Sequence, residues 1–134
     1  MKKAVCLLVA LVLAAVLSGC GLIRIEEEER KPVDYTVVER QDIPAALDEI
    51  MNEKKEKEFQ LSYQTGEALY LAKGYGRQMS GGYSIQVTDL SASVNAVFFE
   101  TKLIGPTEEV QGGEPSYPYI VVKTEYRDVP VQFR

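Results

Sequence analysis

The stretch ALYLAKGYGRQMSGGYSIQV, residues 68–87, decides the fold class. Its start, ALYLAK, has apolar residues on both faces, as in a central strand that is covered on both sides. Tyr83, Ile85 and Val87 then alternate with polar residues, which is typical of a strand buried on one face. The glycine-rich residues 74–82 between the two strands are predicted to form a loop. This pattern indicates a β-sheet protein.

The same two-residue period continues on both sides of this stretch. The connections are too short for parallel crossovers, so the strands are expected to pair mostly in antiparallel fashion. The predicted fold is α+β and β-dominated, with five to seven strands in a compact sandwich-like or partly open barrel domain. The remaining predicted strands contain Phe59, Leu61 and Tyr63; Val97, Phe99, Thr101 and Leu103; residues 119–126; and Val129, Val131 and Phe133.

One N-terminal helix is predicted before the strands. Asp42 is suited to cap its start, and Pro44 is tolerated in a first helical turn. Apolar residues then recur at helical spacing and form one stripe, which favours a helix packed across a sheet. The stripe consists of Ile43, Leu47, Ile50 and Met51.

The N-terminus resembles a bacterial lipoprotein signal. Lys2 and Lys3 precede an apolar run from Ala4 to Leu17, which is shorter than the roughly 20 residues that span a bilayer. The sequence Leu-Ser-Gly-Cys that ends at Cys20 resembles a lipobox. The resemblance implies that residues 1–19 are removed and that Cys20 carries diacylglyceryl and N-acyl lipid. The alternative is an uncleaved signal anchor with an incidental cysteine.

Residues 20–41 are predicted to be an acidic spacer that tethers the domain to a membrane. Four consecutive glutamates, Glu26 to Glu29, repel one another and favour a solvated segment. A calcium site would need turns between its ligands, which adjacent carboxylates do not supply, so no metal site is predicted. Residues 33–38 are rich in β-formers and suit a first strand. The globular domain is then residues 42–134.

Composition excludes several function classes. The formal net charge of −5 argues against a nucleic-acid partner, which would require a basic surface. The chain has no histidine, and its two cysteines, Cys6 and Cys20, both lie in the first twenty residues. The predicted domain therefore cannot form a Ser-His or Cys-His catalytic pair, and it lacks histidine and cysteine ligands for zinc. No catalytic residue and no cofactor other than the lipid on Cys20 is predicted, and the protein is expected not to be an enzyme.

Two phosphate-binding motifs are matched only in part. Gly74 and Gly76 begin like a dinucleotide fingerprint, but the next glycine is Gly81 and a strand follows it instead of a helix. Gly76 and Gly81 have P-loop spacing, but Gly82 and Tyr83 stand where Lys and Ser or Thr are required. An enzyme that uses carboxylates alone remains the open catalytic alternative.

The glycine- and tyrosine-rich segments are better suited to a protein-binding surface than to a phosphate-binding or catalytic site. Arginine and tyrosine are enriched at binding hot spots because they provide a large contact area with few rotatable bonds. The alternative for Tyr83 and Tyr119 is a half-buried place in a sheet, with the hydroxyl in solvent. The candidate partner-binding residues are Arg77, Gly81, Gly82, Tyr83, Tyr117, Pro118 and Tyr119.

Residues 67–134 resemble the C-terminal domain of the PrcB family, lipoproteins named for a subunit of a surface protease complex. The resemblance is carried by GRQMSGGYSIQV at 76–87, PSYPYIVVK at 115–123 and VPVQF at 129–133. One departure lies in the turn, where the family has Arg-Pro-Thr-Gly-Gly and this chain has Arg77-Gln78-Met79-Ser80-Gly81. Without the proline the turn is less rigid.

The resemblance implies a non-catalytic accessory protein that binds and stabilises an extracytoplasmic subtilisin-like protease. The expected partners are the membrane, through the lipid anchor, and a secreted protease or other envelope protein. The expected location is outside the cytoplasm, on the cell membrane or on the outer membrane of a diderm. Two other functions stay open. One is a protease inhibitor that presents a Gly-Gly-Tyr loop on a β-sandwich, as chagasin-type inhibitors do. The other is a structural envelope lipoprotein without a dedicated partner.

Overall fold

The computed structural model describes residues 29–107 and 113–134. Within these ranges the chain forms one α-helix, α1 (Ala45–Lys54), which follows a short 3-10 turn at Arg40–Asp42. Five strands have seven to nine residues, and three others have two or three. In chain order the strands are β1 (Lys31–Pro32), β2 (Thr36–Val37), β3 (Glu58–Gln64), β4 (Ala68–Tyr75), β5 (Ser84–Ala92), β6 (Val97–Ile104), β7 (Tyr119–Glu125) and β8 (Val131–Phe133).

The strands form two four-stranded sheets. Sheet I has the order β1-β5-β6-β8, and sheet II has the order β2-β7-β4-β3. Their pairings are antiparallel except that of β6 with β8, which is parallel and places Val97 opposite Val131. A parallel neighbour is possible here because the chain crosses to β7 in the other sheet before it returns. The prediction of an α+β, sandwich-like domain is confirmed, and the described strands form no closed barrel.

Strand β4 lies at the centre of the packing, as its two-sided apolar sequence predicts. Leu69 and Leu71 point between the sheets, where they pack with Val97 and Phe99 of β6. The alternate residues of β4 point the other way, into a second cluster beneath α1. The domain therefore has three layers, with sheet I on one side of sheet II and the helix on the other. The helix-side cluster contains Ile43, Leu47, Met51, Phe59, Ala68, Tyr70, Ala72 and Val121.

The helix begins three residues later than the predicted cap. Asp42 lies in the 3-10 turn, Pro44 occupies the N-cap position of α1, and no side chain caps the helix. The reason is that the residue before a proline is pushed out of the helical region. Ile43 is accordingly extended, with φ −71° and ψ 129°, so no helix starting at Asp42 continues through it.

The apolar stripe of α1 is narrower than predicted. Ile43, Leu47 and Met51 are buried against sheet II, but Ile50 is 36% exposed. Residues 47 and 51 are separated by four positions and lie on one face of the helix, whereas position 50 is rotated toward the edge of that face. Leu47 and Met51 are therefore the two residues of α1 that are buried against sheet II.

Residues 31–38 connect the two sheets. Strand β1 pairs with β5 of sheet I, and strand β2 pairs with β7 of sheet II. Between them Val33 donates its N–H to the carbonyl oxygen of Leu90 (3.0 Å), and Thr124 donates its hydroxyl to the carbonyl oxygen of Asp34 (2.9 Å). Of the first strand predicted at 33–38, only Thr36–Val37 form a strand, β2; the other short strand, β1, lies just before the predicted range.

The predicted signal peptide at 1–19, Cys20 and the first glutamates of the acidic run lie outside the described residues. In the two described ranges, α1 is neither long nor apolar enough to cross a membrane.

Candidate functional site

The loop between β4 and β5 is shorter than predicted. Gly74 and Tyr75 belong to β4, where Gly74 pairs with Phe59 on one side and Tyr119 on the other. The loop, named the glycine loop here, is therefore residues 76–83. It includes Tyr83, which was predicted to begin the next strand but precedes β5. Glycine permits close packing at position 74, and sequence alone does not distinguish that role from a turn.

Each end of the glycine loop carries a glycine with positive φ. Gly76 has φ +75° and Gly82 has φ +87°, values that side-chain-bearing residues rarely adopt. Both positions are also tightly packed. A Cβ atom on Gly76 would lie 3.0 Å from the backbone nitrogen of Glu58, and one on Gly82 would lie 3.0 Å from Cβ of Pro106. The two glycines set the direction in which the loop leaves and re-enters the sandwich.

The glycine loop is hydrogen-bonded to residues 116–119, named the Tyr-Pro segment here. Gln78 and Ser116 form a small antiparallel bridge: the N–H of Gln78 donates to the carbonyl oxygen of Ser116 (2.8 Å), and the N–H of Ser116 donates back (3.1 Å). The hydroxyl of Ser116 donates to the carbonyl oxygen of Ser80 (2.6 Å). The structure thus brings together the two segments in which the predicted binding residues lie.

A third contact ties the glycine loop to the end of the helix. The backbone N–H of Arg77 donates to the carbonyl oxygen of Glu56 (3.2 Å), which lies in the turn between α1 and β3. The N–H of Tyr75 donates to the carbonyl oxygen of Pro118 (3.0 Å). Loop, segment and helix end are therefore linked by backbone hydrogen bonds, which limit the motion of the loop.

The Tyr-Pro segment forms one wall of a groove whose other wall is α1. The groove has a volume of about 260 Å³. Its side chains include both basic and acidic groups, and Nζ of Lys55 lies 5.0 Å from the ring centroid of Tyr117, a cation–π distance. The groove therefore combines apolar surface with charge. It is lined by Arg40, Asp48, Met51, Asn52, Lys55, Phe59, Tyr117, Pro118 and Tyr119.

The predicted binding residues occupy two places. Tyr117, Pro118 and Tyr119 line the groove, whereas the residues of the glycine loop do not. Gly82 packs beside Pro106, and the ring of Tyr83 lies 3.7 Å from where a Cβ of Gly105 would be. Tyr83 and Tyr117 are both half-buried.

Met79 was not predicted as a binding residue, yet it is the most exposed large apolar side chain in the described ranges, at 82%. It lies in the glycine loop two residues from Arg77, which is also exposed. The sequence does contain a signal for Met79, because this apolar residue stands among glycines, a serine and polar residues. Sequence does not tell whether such a side chain points inward or into solvent. The helix residues of the groove were missed because they meet the Tyr-Pro segment only in the folded chain.

The glycine loop and the groove together form a surface suited to non-covalent contact. It offers apolar area at Met79 and the tyrosines, cations at Arg77 and Lys55, and hydrogen-bonding backbone. Across residues 29–107 and 113–134, no three acidic or metal-binding side chains are grouped so as to hold a metal ion. The arrangement suits recognition of another protein surface.

Residues 69–125 match the family model described as PrcB C-terminal. This range is less than half of the chain. It includes the glycine loop and the Tyr-Pro segment, whereas the VPVQF sequence at 129–133 lies beyond its end. The match supports assignment to the PrcB family, as the sequence resemblance predicted. Neither the curated proteins nor the solved structures include a significant match to the chain.

Proposed function

Because the chain is assigned to the PrcB family through residues 69–125, we propose that it is an accessory subunit of an extracytoplasmic protease. In this proposal the domain is a non-catalytic, protein-binding module that stabilises a subtilisin-like enzyme. Lipid on Cys20 holds it at the membrane surface, and no cofactor takes part. The family match carries the proposal, since the family suggests an accessory role in a protease complex.

The geometry of the glycine loop supports this role. Rigid loops bind with less loss of conformational entropy than mobile ones, because their side chains are already in place. Hydrogen bonds to Ser116 and Glu56 hold the loop at two points. An exposed, unbranched methionine at its surface adapts to an apolar pocket on a partner. We therefore place the primary contact at Met79, with Arg77 beside it.

The groove between α1 and the Tyr-Pro segment supplies a second contact area. Tyrosines at binding surfaces contribute apolar area and a hydroxyl at low entropic cost. Tyr119 is 38% exposed at the start of β7, and Tyr117 is held beneath Lys55. The glycine loop is bridged to the segment that contains both tyrosines, and in this proposal one partner contacts both areas.

Protease inhibition is the second candidate function. The observation that favours it is the same exposed Met79 on a hydrogen-bonded loop, since a protease cleft accepts a rigid loop with one protruding side chain. The two functions differ in their effect on the enzyme. A stabilising subunit lengthens the lifetime of the protease, whereas an inhibitor lowers its turnover.

The test uses the full chain and the secreted subtilisin-like proteases of the same organism, each co-expressed with it. Peptidase activity is followed over time at equal amounts of the two proteins. A longer half-life with unchanged initial turnover supports the accessory role, and reduced initial turnover at a one-to-one ratio supports inhibition. No binding and no change in half-life for any of these proteases would overturn both.

Two matched variants locate the contact. Met79→Ala is expected to weaken binding by about 2 kcal/mol or more, the usual threshold for a hot spot. Val94→Ala is the control, because Val94 is also a highly exposed apolar residue (74%) in a loop, but between β5 and β6. Equal binding by the two variants would show that the glycine loop is not the primary contact.

A further inference from the structure

The outer edge of sheet II is a long, regular strand. β3 pairs with β4 through all seven of its residues, from Glu58 to Gln64, without a bulge. It is the last strand in the order of sheet II, and no described strand lies on its other side. Such an edge presents backbone N–H and C=O groups that are free to pair with another strand.

This edge lacks the usual protection against pairing. Natural edge strands commonly carry lysine, proline or a bulge that prevents another strand from adding to them. The sequence of β3, EFQLSYQ, contains neither lysine nor proline. Its one charged residue, Glu58, is already paired with Lys73 of β4 in the same chain. Strand β3 is therefore suited to accept a partner strand.

The side-chain pattern of β3 is complementary to itself. When two copies run antiparallel and use all seven residues, Leu61 faces Leu61 of the second copy across the two-fold axis. On one face Phe59 then lies opposite Tyr63, so both positions of this pair are aromatic, while the Phe59 ring itself packs over Gly74 of β4. On the other face Gln60 lies opposite Ser62, and no two like charges meet. The final pair in this register joins Glu58 to Gln64.

The apolar face of the edge is incompletely covered in one chain. Phe59 is buried beneath α1, but Leu61 and Tyr63 are only half-buried at the rim of the helix-side cluster. A second strand in the register described above would place apolar side chains against both. Burial of this area adds to the backbone hydrogen bonds of the pairing.

We propose that two copies of this chain associate through β3, in antiparallel register centred on Leu61. Sheet II of one copy and sheet II of the other then form one continuous sheet of eight strands. The interface is isologous, because the same strand contributes from each copy. It lies on β3 and uses neither Met79 nor the Tyr-Pro segment, so the proposal does not depend on the protease partner.

The test uses the pairing of Gln60 of one copy with Ser62 of the other in the proposed register. Both residues are exposed in the single chain. Two differently tagged copies of the full chain are co-expressed, extracted in detergent, and purified through one tag. In the variant Gln60→Glu with Ser62→Glu, two like-charge pairs face each other across the interface. In Gln60→Glu with Ser62→Lys, the same positions carry opposite charges. Co-purification is expected to fall at least about tenfold in the first variant relative to the second, because two symmetric pairs change sign.

The control adds the same charge elsewhere. Gln86→Glu with Thr88→Glu changes two exposed residues of β5, an inner strand of sheet I, and is expected to co-purify as the unmodified chain does. Equal co-purification by the two β3 variants would overturn the proposal, as would failure of the unmodified copies to co-purify. Circular dichroism of each variant confirms that the fold is retained.

Discussion

The aromatic ring of Phe59 lies over the backbone of Gly74. The two residues are directly opposite in the β3–β4 pairing, and a Cβ atom on Gly74 would come within 2.6 Å of Cζ of Phe59. The missing side chain at position 74 thus makes room for the ring. Phe59 in turn belongs to the cluster that holds α1 on sheet II.

Gly74→Ala is therefore expected to destabilise the fold. The added methyl group displaces the Phe59 ring, and overpacking of this kind costs about 1–3 kcal/mol. Chemical denaturation measures the free energy of unfolding. Gly66→Ala is the control, because nothing lies within 4 Å of its Cβ position and its φ is not in the left-handed region. It is expected to be neutral or stabilising by about 0.4–1 kcal/mol. Equal stability of the two variants would show that the ring is free to move away.

Leu47→Ala and Ile50→Ala test the narrow stripe of α1. Leu47 is fully buried, so its truncation leaves a cavity and is expected to cost about 2–5 kcal/mol. Ile50 is partly exposed at the edge of the helix face, and its truncation is expected to cost about 1 kcal/mol or less. Thermal denaturation compares them. Similar losses for both would contradict the described orientation of the helix.

The fold was predictable where local pattern decides structure. Ile85 and Val87 of β5 are more buried than their polar neighbours, and β4 is buried on both faces, as their sequences predict, because strand periodicity is a local property. The cap at Asp42 was wrong because Pro44 excludes Ile43 from the helix, which outweighs the capping preference. Gly74 was wrongly placed in a loop because its role depends on Phe59, fifteen residues earlier.

The candidate site was only partly predictable. Arg77 and Tyr117 were selected by residue type, and backbone hydrogen bonds join the segments in which they lie. Sequence did not show that Tyr117 faces Lys55 of the turn after α1, since this contact depends on how the helix crosses sheet II. It also gave no means to rank Met79 above the tyrosines, because exposure of a loop side chain is a tertiary property.

Lys73 leads to a prediction about its partner Glu58. Lys73 is only 4% exposed and donates to the carboxylate of Glu58, whose side chain is 61% exposed. Glu58→Ala leaves the buried ammonium without its partner and is expected to destabilise the fold by about 1–3 kcal/mol. Lys73→Met removes the buried charge and keeps the volume, so stability is expected to be unchanged or higher.

The matched control for this pair is Glu100→Ala on β6, an exposed glutamate expected to change stability by about 0.5 kcal/mol or less. Urea denaturation of the three variants gives the comparison. If Glu58→Ala and Glu100→Ala are equally stable, the Lys73 ammonium finds solvent or another acceptor.

Ser116→Ala tests whether the bridge between the glycine loop and the Tyr-Pro segment organises the binding surface. The substitution removes the hydroxyl that donates to Ser80 and retains the backbone bridge to Gln78. Loss of one hydrogen bond is expected to cost about 0.5–1.5 kcal/mol and to speed amide exchange at Gln78. Because the loop becomes more mobile, partner binding should weaken by more than the small change in contact area explains.

Ser84→Ala is the control for Ser116→Ala, since Ser84 is exposed at the start of β5. It is expected to leave amide exchange at Gln78 as it is in the unmodified chain. Hydrogen exchange followed by mass spectrometry resolves the two segments. One outcome is that the Gln78 amide exchanges as slowly in Ser116→Ala as in Ser84→Ala while Ser116→Ala binds the protease more weakly. The Ser116 hydroxyl then contacts the partner directly, and loop rigidity is not its role. If exchange rises and binding is unchanged, the bridge stabilises the fold alone, and Met79 does not depend on a rigid loop to reach its partner.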